Sequence, residues 1–483
     1  TDCHLSKQND NNAIMAQLLM LGTGSVNFIG RYAWVAQGEH GLEAIEVTER
    51  DEPQTVIGSS FQKVAYPQRY QKHREHSGNL EVVHHHPGND LADQLFRPKA
   101  KSNIQSLFAR GEYLYAACGE AGMRVFDIAF VDHKGFSERV VTAPVSPAGQ
   151  KFHVPTSHAT SVCAPTTIAP DPTRKQLPEN KEPSIHMAYA FLYVTDLHEG
   201  LVLVNAATLL DGDPTNNFLK KDLVFNPNGI LNGAKSMCFV GTLGYVCCDA
   251  GLVIVDFDKP TEPRVVAILG DRQIQGARAV QAQFRYAFVC DSQGVKVLDI
   301  TNPKAPELKA TLAMDDAHNI YLARTYAYVA GGHQGLVILD IENPEKPRID
   351  QIYDANGSIN DLHDVKLGIT YSSQFAYLAD GKNGFKVLQI TSPDLPGSPG
   401  FSPRPNPVLI ARHKPKHGGE AIAISRGVDR DRAIDESGNQ IAVFGRLGAR
   451  PLNKVESEKL YLREGIPWHV EDDPQSNLYR RVR

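Results

Sequence analysis

The chain has 483 residues, 42% hydrophobic and 22% charged, a balance typical of a globular protein that can bury a large core. Its formal net charge of -5 gives no general attraction to nucleic acid, which favours basic faces, so no nucleic-acid partner is expected. No stretch of about 18 apolar residues occurs, so no segment is predicted to span a membrane.

The first segment, residues 1–22, contains the dipeptide Cys3-His4. A c-type haem site has two cysteines that bracket two residues and are followed by a histidine, which ligates the iron. A cysteine one position before Thr1 would complete this motif. We therefore predict a candidate covalent haem site at Cys3 and His4, and residues 1–22 are a candidate for the end of a haem-binding region. A chance dipeptide is the alternative.

A short unit then recurs along the chain. The copy from Tyr326 to Asp340 reads YAYVAGGHQGLVILD, which predicts an alternating strand, a tight turn ending in Gly335 and a second apolar strand. Eight copies align, and in chain order they start at Tyr32, Tyr113, Phe191, Gly244, Tyr286, Tyr326, Phe375 and Asp431. The last copy is diverged, because it lacks the aromatic residue and has Gln440 in place of the glycine.

Each copy is flanked by two further extended segments. A short strand precedes it, as in residues 276–280, and a Pro-marked turn with a fourth strand follows it, as in Pro306 and the residues ELKATL. Proline does not suit a central ladder position, so it marks the start of an outer strand. A four-stranded unit that repeats roughly every 40 to 50 residues is typical of a propeller blade.

We therefore predict an all-β fold, an eight-bladed β-propeller of four-stranded antiparallel blades over residues 23–460, followed by a tail at residues 461–483. The strands of the eighth blade are expected at residues 421–426, 432–435, 441–444 and 452–460. A ring of seven blades with an appended hairpin is the alternative. Four cysteines fall at small-residue positions of the strands and are predicted to be buried thiols: Cys118, Cys247, Cys248 and Cys290.

Two long insertions are expected within the propeller, at about residues 59–100 and 143–183, where family-specific function tends to lie. The first is rich in histidine: His73, His76, His84, His85 and His86. Consecutive residues of a strand point to opposite faces, so the three adjacent histidines cannot all face one metal ion from a strand. A solvated basic loop is the favoured interpretation, with axial haem ligation or metal binding as alternatives.

Units of the form YAYVAxxxxGLxIxDIxxPxxP resemble the LVIVD-repeat family of bacterial and archaeal propellers. The resemblance is carried by Tyr328–Pro347, Tyr245–Pro263, Phe288–Pro306 and, more weakly, Trp34–Pro53. It implies an extracytoplasmic protein that is periplasmic, at the cell surface or secreted, because such repeats occur mainly in exported proteins. It implies no reaction.

The residues that open the innermost strands are expected to converge at one mouth of the central channel. Four of them are cationic or can become so, and three polar residues are adjacent: Lys235, Arg278, His318 and His363, then Asp364, Asn319 and His186. Such a group could hold an anion or a metal ion, and the lysine and arginine favour an anion because cations repel a metal. The alternative is that these side chains line a water-filled channel.

No nucleophile elbow, zinc-protease motif, phosphate loop or dinucleotide fingerprint occurs, so we assign no catalytic residue and no metal ligand apart from haem. The leading hypothesis is an exported, non-catalytic propeller that binds protein partners or serves as a scaffold. If Cys3 and His4 carry haem, the propeller is one portion of a c-type cytochrome with one or more haems, in an electron-transfer or envelope complex. The alternative is an enzyme or a small-ligand-binding propeller with its site at the channel mouth.

Overall fold

Each repeat folds as two antiparallel strands joined by a tight turn. In the sixth copy, Tyr326–Ala330 pairs with Leu336–Asp340, and most side chains of both strands are buried because both faces pack against neighbouring sheets. Gly335 closes the turn with a φ of +79°, and a Cβ there would lie 2.9 Å from the carbonyl oxygen of Tyr353. Only glycine adopts this conformation without strain.

The computed structural model describes residues 32–49, 55–74, 79–89, 100–110, 113–127, 153–165, 186–206, 219–270, 272–370, 373–393, 402–425, 462–463 and 466–467. These residues form seven four-stranded sheets and one separate strand pair. The strands of the sheets are β1 (Tyr32–Ala36), β2 (Leu42–Glu46), β3 (Glu81–His86), β4 (Ser106–Arg110), β5 (Tyr113–Ala117), β6 (Met123–Asp127), β7 (His153–Val154), β8 (Ala159–Cys163), β9 (Phe191–Asp196), β10 (Gly200–Asn205), β11 (Lys220–Phe225), β12 (Ser236–Val240), β13 (Leu243–Cys248), β14 (Gly251–Asp256), β15 (Arg264–Leu269), β16 (Ala279–Gln283), β17 (Tyr286–Asp291), β18 (Gly294–Asp299), β19 (Glu307–Ala313), β20 (Asn319–Ala323), β21 (Tyr326–Ala330), β22 (Leu336–Asp340), β23 (Arg348–Tyr353), β24 (Asp364–Thr370), β25 (Ser373–Ala379), β26 (Phe385–Thr391), β27 (Val408–His413) and β28 (Ala423–Ile424). The separate pair is β29 (Leu462–Arg463) and β30 (Ile466–Pro467).

The sheets are the blades of a propeller. Blades 2 to 7 take their four strands in chain order, from β4–β7 to β24–β27, and blade 1 has the order β28, β1, β2, β3. The first strand of each blade contacts the first strand of the next, and the series β4, β8, β12, β16, β20, β24, β28 closes on itself. These inner strands therefore surround the central channel, and the fourth strands form the outer rim. The all-β propeller with four-stranded antiparallel blades is confirmed.

The prediction of eight blades is wrong, and the alternative count of seven is correct. The segment expected to begin an eighth blade instead supplies β28, which pairs Val35 with Ile424 and Ala36 with Ala423. Without it, the inner edge of β1 would expose unpaired backbone groups, and closing the ring satisfies them. The other expected strands of the eighth blade, residues 432–435, 441–444 and 452–460, lie outside the described residues.

Helices occur only in connections of the described chain. Helix α1 (Ser60–Ala65) begins where the hydroxyl of Ser59 accepts a hydrogen bond from the Gln62 amide, and α2 (Pro67–Lys72) begins with proline. Both connect β2 to β3, and two short 3-10 helices cover Met187–Ala190 and Pro227–Gly229. Among the described residues, no helix has the length and apolar character needed to cross a membrane.

The hydrophobic core lies between adjacent blades. Between blades 5 and 6, for example, five fully buried side chains pack together: Phe288, Val297, Ile320, Val329 and Val337. Full burial of an apolar side chain of this size stabilises a fold by about 1.5–3 kcal/mol. Because similar clusters separate the other blades, the ring is held mainly by contacts between blades.

Candidate functional site

The four residues predicted to converge lie at equivalent positions in blades 4 to 7. Lys235, Arg278, His318 and His363 each come immediately before the inner strand of a blade. Each donates its backbone N–H to a carbonyl near the end of the second strand of its own blade, at 2.8–2.9 Å. The structure therefore places all four at one end of the channel, the channel mouth.

Turns at the channel mouth join each blade to its neighbour. In four of the blades, a glycine of the turn between the second and third strands makes a backbone bridge to the residue that leads into the next inner strand. The bridges are Gly38 to Ile104, Gly119 to Ala159, Gly332 to Leu362 and Gly381 to Ala421. The last of these crosses from blade 7 to the closing strand of blade 1, so this end of the ring is a fixed backbone frame.

Two aspartates that sequence reasoning did not single out complete the channel mouth. Asp316 Oδ1 lies 3.0 Å from His318 Nε2, and Asp361 Oδ1 lies 3.2 Å from His363 Nε2. The signal was present in the sequence, because both blades carry the spacing Asp-x-His. The two blades therefore present the same carboxylate–imidazole pair.

Arg278 connects blade 5 to blade 6. Its Nη1 donates to Asp316 Oδ1 at 3.0 Å and to the carbonyl of Ala317 at 3.2 Å. In blade 3, Thr160 Oγ1 donates in the same way to the Ala234 carbonyl of blade 4, at 2.7 Å. The guanidinium of Arg278 is thus paired with the Asp316 carboxylate and bound to the backbone of blade 6, so its charge is already neutralised within the protein.

The two histidines of the channel mouth also contact each other. Their ring centroids are 5.1 Å apart with an interplanar angle of 49°, and each side chain is about a third exposed. Burial lowers the pKa of His318 below its usual value, against the opposing effect of Asp316. Burial alone would raise the pKa of Asp316, but His318 and Arg278 outweigh it and the pKa lies below its usual value.

Lys235 stands apart from these pairs. It lines a cleft of about 470 Å³ together with His198, Asn232 and Asp249, between the turn of blade 3 and the loop before β12. Its ammonium group has no hydrogen bond or ion pair within the described part of the chain. The structure therefore brings Arg278, His318 and His363 into one connected group and leaves Lys235 beside it.

A family model for the LVIVD repeat matches residues 276–313, 315–355 and 368–400. The chain carries LVIVD repeats. The first two matches are blades 5 and 6 in full, and the third covers the middle of blade 7, so one LVIVD repeat corresponds to one blade. The predicted resemblance is confirmed.

No curated protein matches the chain. Solved structures that it resembles include a protein from Lactobacillus plantarum, with 12% identity, a TM-score of 0.49 and coverage of 83% of this chain and 99% of that chain. Another is the β-propeller domain of Cps50 (Swd1) from Myceliophteria thermophila, with 12% identity, a TM-score of 0.39 and coverage of 68% and 91%. A third is the computationally designed Ika8 protein, with 10% identity, a TM-score of 0.42 and coverage of 82% and 88%.

The LVIVD repeats differ in the residue that lies two positions before the channel-mouth side chain. In blades 6 and 7, the residue two positions before the histidine is Asp316 or Asp361, whereas in blade 5 the equivalent residue is Gly276. Arg278 of blade 5 therefore has no carboxylate in its own Asp-x-His position and reaches the carboxylate of blade 6. Because of this, the polar group of the channel mouth is concentrated on blades 5, 6 and 7.

The three polar residues predicted to lie beside the channel mouth have different positions. Asp364 is buried and accepts a hydrogen bond from Asn319 Nδ2 at 2.7 Å, so these two join blades 6 and 7. His186 precedes a 3-10 helix, accepts from the Ala188 amide and lies 3.6 Å from Asp258. His186 belongs to the opposite end of the blade, because β9 runs from there towards the channel mouth.

The histidines of the first predicted insertion do not form one group. His85 and His86 lie on opposite faces of β3: His85 packs on His417, whereas His86 is buried against Phe126. His73 Nε2 lies 3.0 Å from Glu49 Oε1. His76, like Cys3 and His4, lies outside the described residues.

The predicted buried cysteines are confirmed, since Cys118, Cys247, Cys248 and Cys290 are all at most 1% exposed and in the thiol form. Burial raises the pKa of Cys247 to about 12 and that of Cys248 to about 11. These thiols therefore stay protonated and unreactive at neutral pH. In the described ranges, no three His, Cys, Asp or Glu side chains form a group that could hold a metal ion together.

The rim carries a second repeated feature. Val224, Ile268 and Ile352 lie on the outer strands of blades 3, 4 and 6, each opposite a valine of the third strand, and so occupy equivalent positions. They are 44%, 50% and 50% exposed. The equivalent residues of blades 5 and 7 are polar, Thr311 and Arg412.

Proposed function

We propose that this LVIVD-repeat propeller is an exported, non-catalytic module that binds a protein partner through its outer rim. The observation that carries the proposal is the exposed apolar position shared by Val224, Ile268 and Ile352. Because each of these side chains is about half exposed, burial of the remaining surface against a partner contributes about 1 kcal/mol each. Export is supported by the family resemblance, and fractionation of the source cells tests it.

The state of the channel mouth supports a structural rather than a catalytic role for Arg278. Its guanidinium is engaged with Asp316 and with the backbone of blade 6. An anion-binding site would need that charge to be available to a ligand. The rim side chains of Val224, Ile268 and Ile352, in contrast, are about half exposed in the chain as described.

The test replaces the three rim residues by serine in one variant, Val224→Ser, Ile268→Ser and Ile352→Ser. We expect the partner cross-linked to the native protein in its source cells to be lost from this variant, as measured by quantitative mass spectrometry. Matched controls are Thr311→Ser, at the equivalent rim position of blade 5, and the pair His318→Ala and His363→Ala at the channel mouth. Undiminished cross-linking of the rim variant would refute the proposal.

A small-ligand site at the channel mouth is the second candidate function. The observation that favours it is the duplicated carboxylate–imidazole pair, Asp316 with His318 and Asp361 with His363. The same experiment separates the two functions. Loss of cross-linking in the His318→Ala, His363→Ala variant, with cross-linking of the rim variant unchanged, favours the channel mouth as the functional site.

We further propose that the propeller belongs to a c-type cytochrome, with covalent haem at Cys3 and His4, and acts in extracytoplasmic electron transfer. The support is the Cys-His dipeptide of the sequence. A pyridine haemochrome spectrum of the native protein tests it, and Cys3→Ser should abolish haem attachment at this site. A native protein without haem absorbance and with the unmodified peptide mass rules it out.

A further inference from the structure

The imidazoles of the channel mouth each keep one nitrogen free. In both His318 and His363 it is Nε2 that contacts the carboxylate, at 3.0 and 3.2 Å. Neither Nδ1 has a hydrogen-bond partner in the part of the chain that the structure describes, and neither is among its buried unpaired polar atoms. Both Nδ1 atoms are therefore accessible and available as acceptors.

This arrangement is the one that metal-ligating histidines use. Such a histidine donates one ring N–H to a carboxylate, which fixes the tautomer and the ring orientation, and the other nitrogen carries a lone pair for the metal. Asp316 accepts from Nε2 of His318 and Asp361 accepts from Nε2 of His363. The free lone pair of each imidazole is therefore at Nδ1. Each histidine ring is then held in its orientation by the carboxylate of its own blade.

The spacing of the two rings fits a shared ion. An ion held by two imidazole nitrogens at about 2.0–2.1 Å in tetrahedral geometry places the ring centroids about 5 Å apart. The observed separation is 5.1 Å.

The carboxylates occupy space that the fold reserves for them. A Cβ on Gly332 would lie 2.1 Å from Asp316 Oδ2, and a Cβ on Gly381 would lie 2.1 Å from Asp361 Oδ2. Both glycines have positive φ, 54° and 43°, and both make the backbone bridges to the next blade. The same Asp-x-His and glycine arrangement is therefore built twice, on adjacent blades.

The local charge also permits a cation. Lys235 and Arg278 were expected from the sequence to repel a metal ion, but Arg278 is paired with Asp316 at 3.0 Å. With neutral imidazoles, the carboxylates of Asp316 and Asp361 outnumber this guanidinium. Lys235, the other cation of the channel mouth, lies in the separate cleft between blades 3 and 4.

We propose that the channel mouth binds one divalent transition-metal ion, of the zinc and copper type, through Nδ1 of His318 and Nδ1 of His363. Imidazole nitrogen is a preferred ligand of these ions, and the remaining coordination positions are open to water or to a small ligand. Asp316 and Asp361 are positioning residues. The inference is independent of partner binding at the rim.

The experiment titrates chelator-treated full-length protein with Zn²⁺ by calorimetry and records the electron paramagnetic resonance spectrum with Cu²⁺. We expect one Zn²⁺ equivalent that is lost in His318→Ala and in His363→Ala, and a Cu²⁺ spectrum with coupling to two imidazole nitrogens. The matched control is His333→Ala, an exposed histidine on the turn of the same blade, which should retain that equivalent. Unchanged Zn²⁺ binding in both channel-mouth variants, or a single coupled nitrogen, overturns the proposal.

A second pair of variants tests the positioning residues without removing a ligand. Asp316→Asn and Asp361→Asn should each weaken Zn²⁺ binding by about 10–100-fold while the stoichiometry stays at one, as is usual for partners of ligating histidines. Circular dichroism and the thermal midpoint check that each variant is folded. Folded Asp→Asn variants that both bind Zn²⁺ as tightly as the unmodified protein also contradict the proposed geometry.

Discussion

Blades 1 and 6 share one four-stranded design but are assembled in different ways. In blade 6, the inner strand Asn319–Ala323 and the next strand form a hairpin with five paired positions. In blade 1, the inner strand Ala423–Ile424 comes from the far end of the propeller sequence and pairs with Tyr32–Ala36 at two positions. Backbone pairing therefore contributes less to the closing strand than to the inner strand of a consecutive blade.

Buried polar contacts compensate at the closure. Asp364 of blade 7 accepts a hydrogen bond from the Ile424 amide at 2.9 Å, and Glu43 of blade 1 pairs with His413 of blade 7 at 2.9 Å in a buried position. Blades 5 and 6 meet over the apolar cluster around Phe288 and Ile320, and a comparable cluster around Val35 and Ile424 lies between blades 7 and 1. The two junctions differ in their polar contacts: the Glu43–His413 pair at the closure is buried, whereas the Arg278–Asp316 pair between blades 5 and 6 is about a third exposed. Polar substitutions and acid should therefore act more strongly on the closure.

The largest effect is expected from Asp364→Ala. This buried carboxylate accepts from the amides of Ile424 and Val365, from Asn319 Nδ2 and from Lys366 Nζ, at 2.5–2.9 Å. Its removal leaves a largely buried ammonium group and several donors unpaired, which costs about 3–5 kcal/mol. Urea unfolding measures the loss. Asp364→Asn, which keeps one acceptor oxygen, should lose less, and equal stability of Asp364→Ala and the unmodified protein contradicts the role of this residue in closure.

A matched pair of isoleucines compares the two blades directly. Ile320 and Ile424 occupy equivalent inner-strand positions, opposite Val329 and Val35, and are 0% and 2% exposed. Truncation of a buried isoleucine to alanine costs about 2–5 kcal/mol. Ile320→Ala should lower the urea midpoint of the whole propeller, whereas Ile424→Ala should mainly release the closing strand.

Hydrogen exchange distinguishes these outcomes. The amides of β1 should exchange faster in Ile424→Ala than in Ile320→Ala, because β28 can open locally when its few pairs are weakened. The urea midpoint should fall further in Ile320→Ala. Identical exchange of β1 in the two variants would show that the closing strand is no weaker than a hairpin strand.

The blades were predictable because their signal is local. Aromatic and small residues alternate up to a turn glycine such as Gly335, and this pattern specifies two strands wherever it occurs. The blade count was not predictable in this way, because residues 421–425 have the appearance of a first strand whichever blade they join. Their pairing with β1 is a contact between the two ends of the propeller, for which the local sequence carries no signal.

The channel mouth was predictable in part for the same reason. Repetition placed Lys235, Arg278, His318 and His363 in one position of the blade, and the structure has them at one end of the channel. The carboxylates that these residues contact were harder to predict. The ion pair of Arg278 joins two blades, so it depends on how the blades pack, and only the Asp-x-His spacing within each blade could have indicated the carboxylates.

A smaller effect, on pH dependence, is expected at Glu43. Burial alone would raise the pKa of Glu43, but its hydrogen bond and ion pair with His413 outweigh this, so the folded-state pKa lies below the usual 4.5. A group with a lowered folded-state pKa stabilises the fold above its unfolded pKa, and this contribution is lost as the pH falls through the folded value.

Glu43→Gln should therefore make the free energy of unfolding less steep with pH in this acidic range. Urea unfolding at a series of pH values measures the slope, with the unmodified protein as the reference. Because the pair lies at the boundary of blades 7 and 1, acid should also lower the protection factors of the β1 amides before those of the β21 amides in the unmodified protein. The same slope in both proteins would mean that Glu43 does not couple closure to pH.

The smallest effect is expected for an ion pair on the rim of blade 6. Arg348 Nη2 lies 2.6 Å from Asp340 Oδ2, closer than the Glu43–His413 pair, but the arginine side chain is 76% exposed. Water screens an exposed pair, and ordering the long side chain offsets much of the attraction. Arg348→Ala should therefore leave the urea midpoint and the exchange of blade 6 unchanged. If Arg348→Ala destabilised the protein as much as Glu43→Gln, burial would not be what makes the closure sensitive to polar substitutions, and the contrast between the two blades would have to come from strand pairing alone.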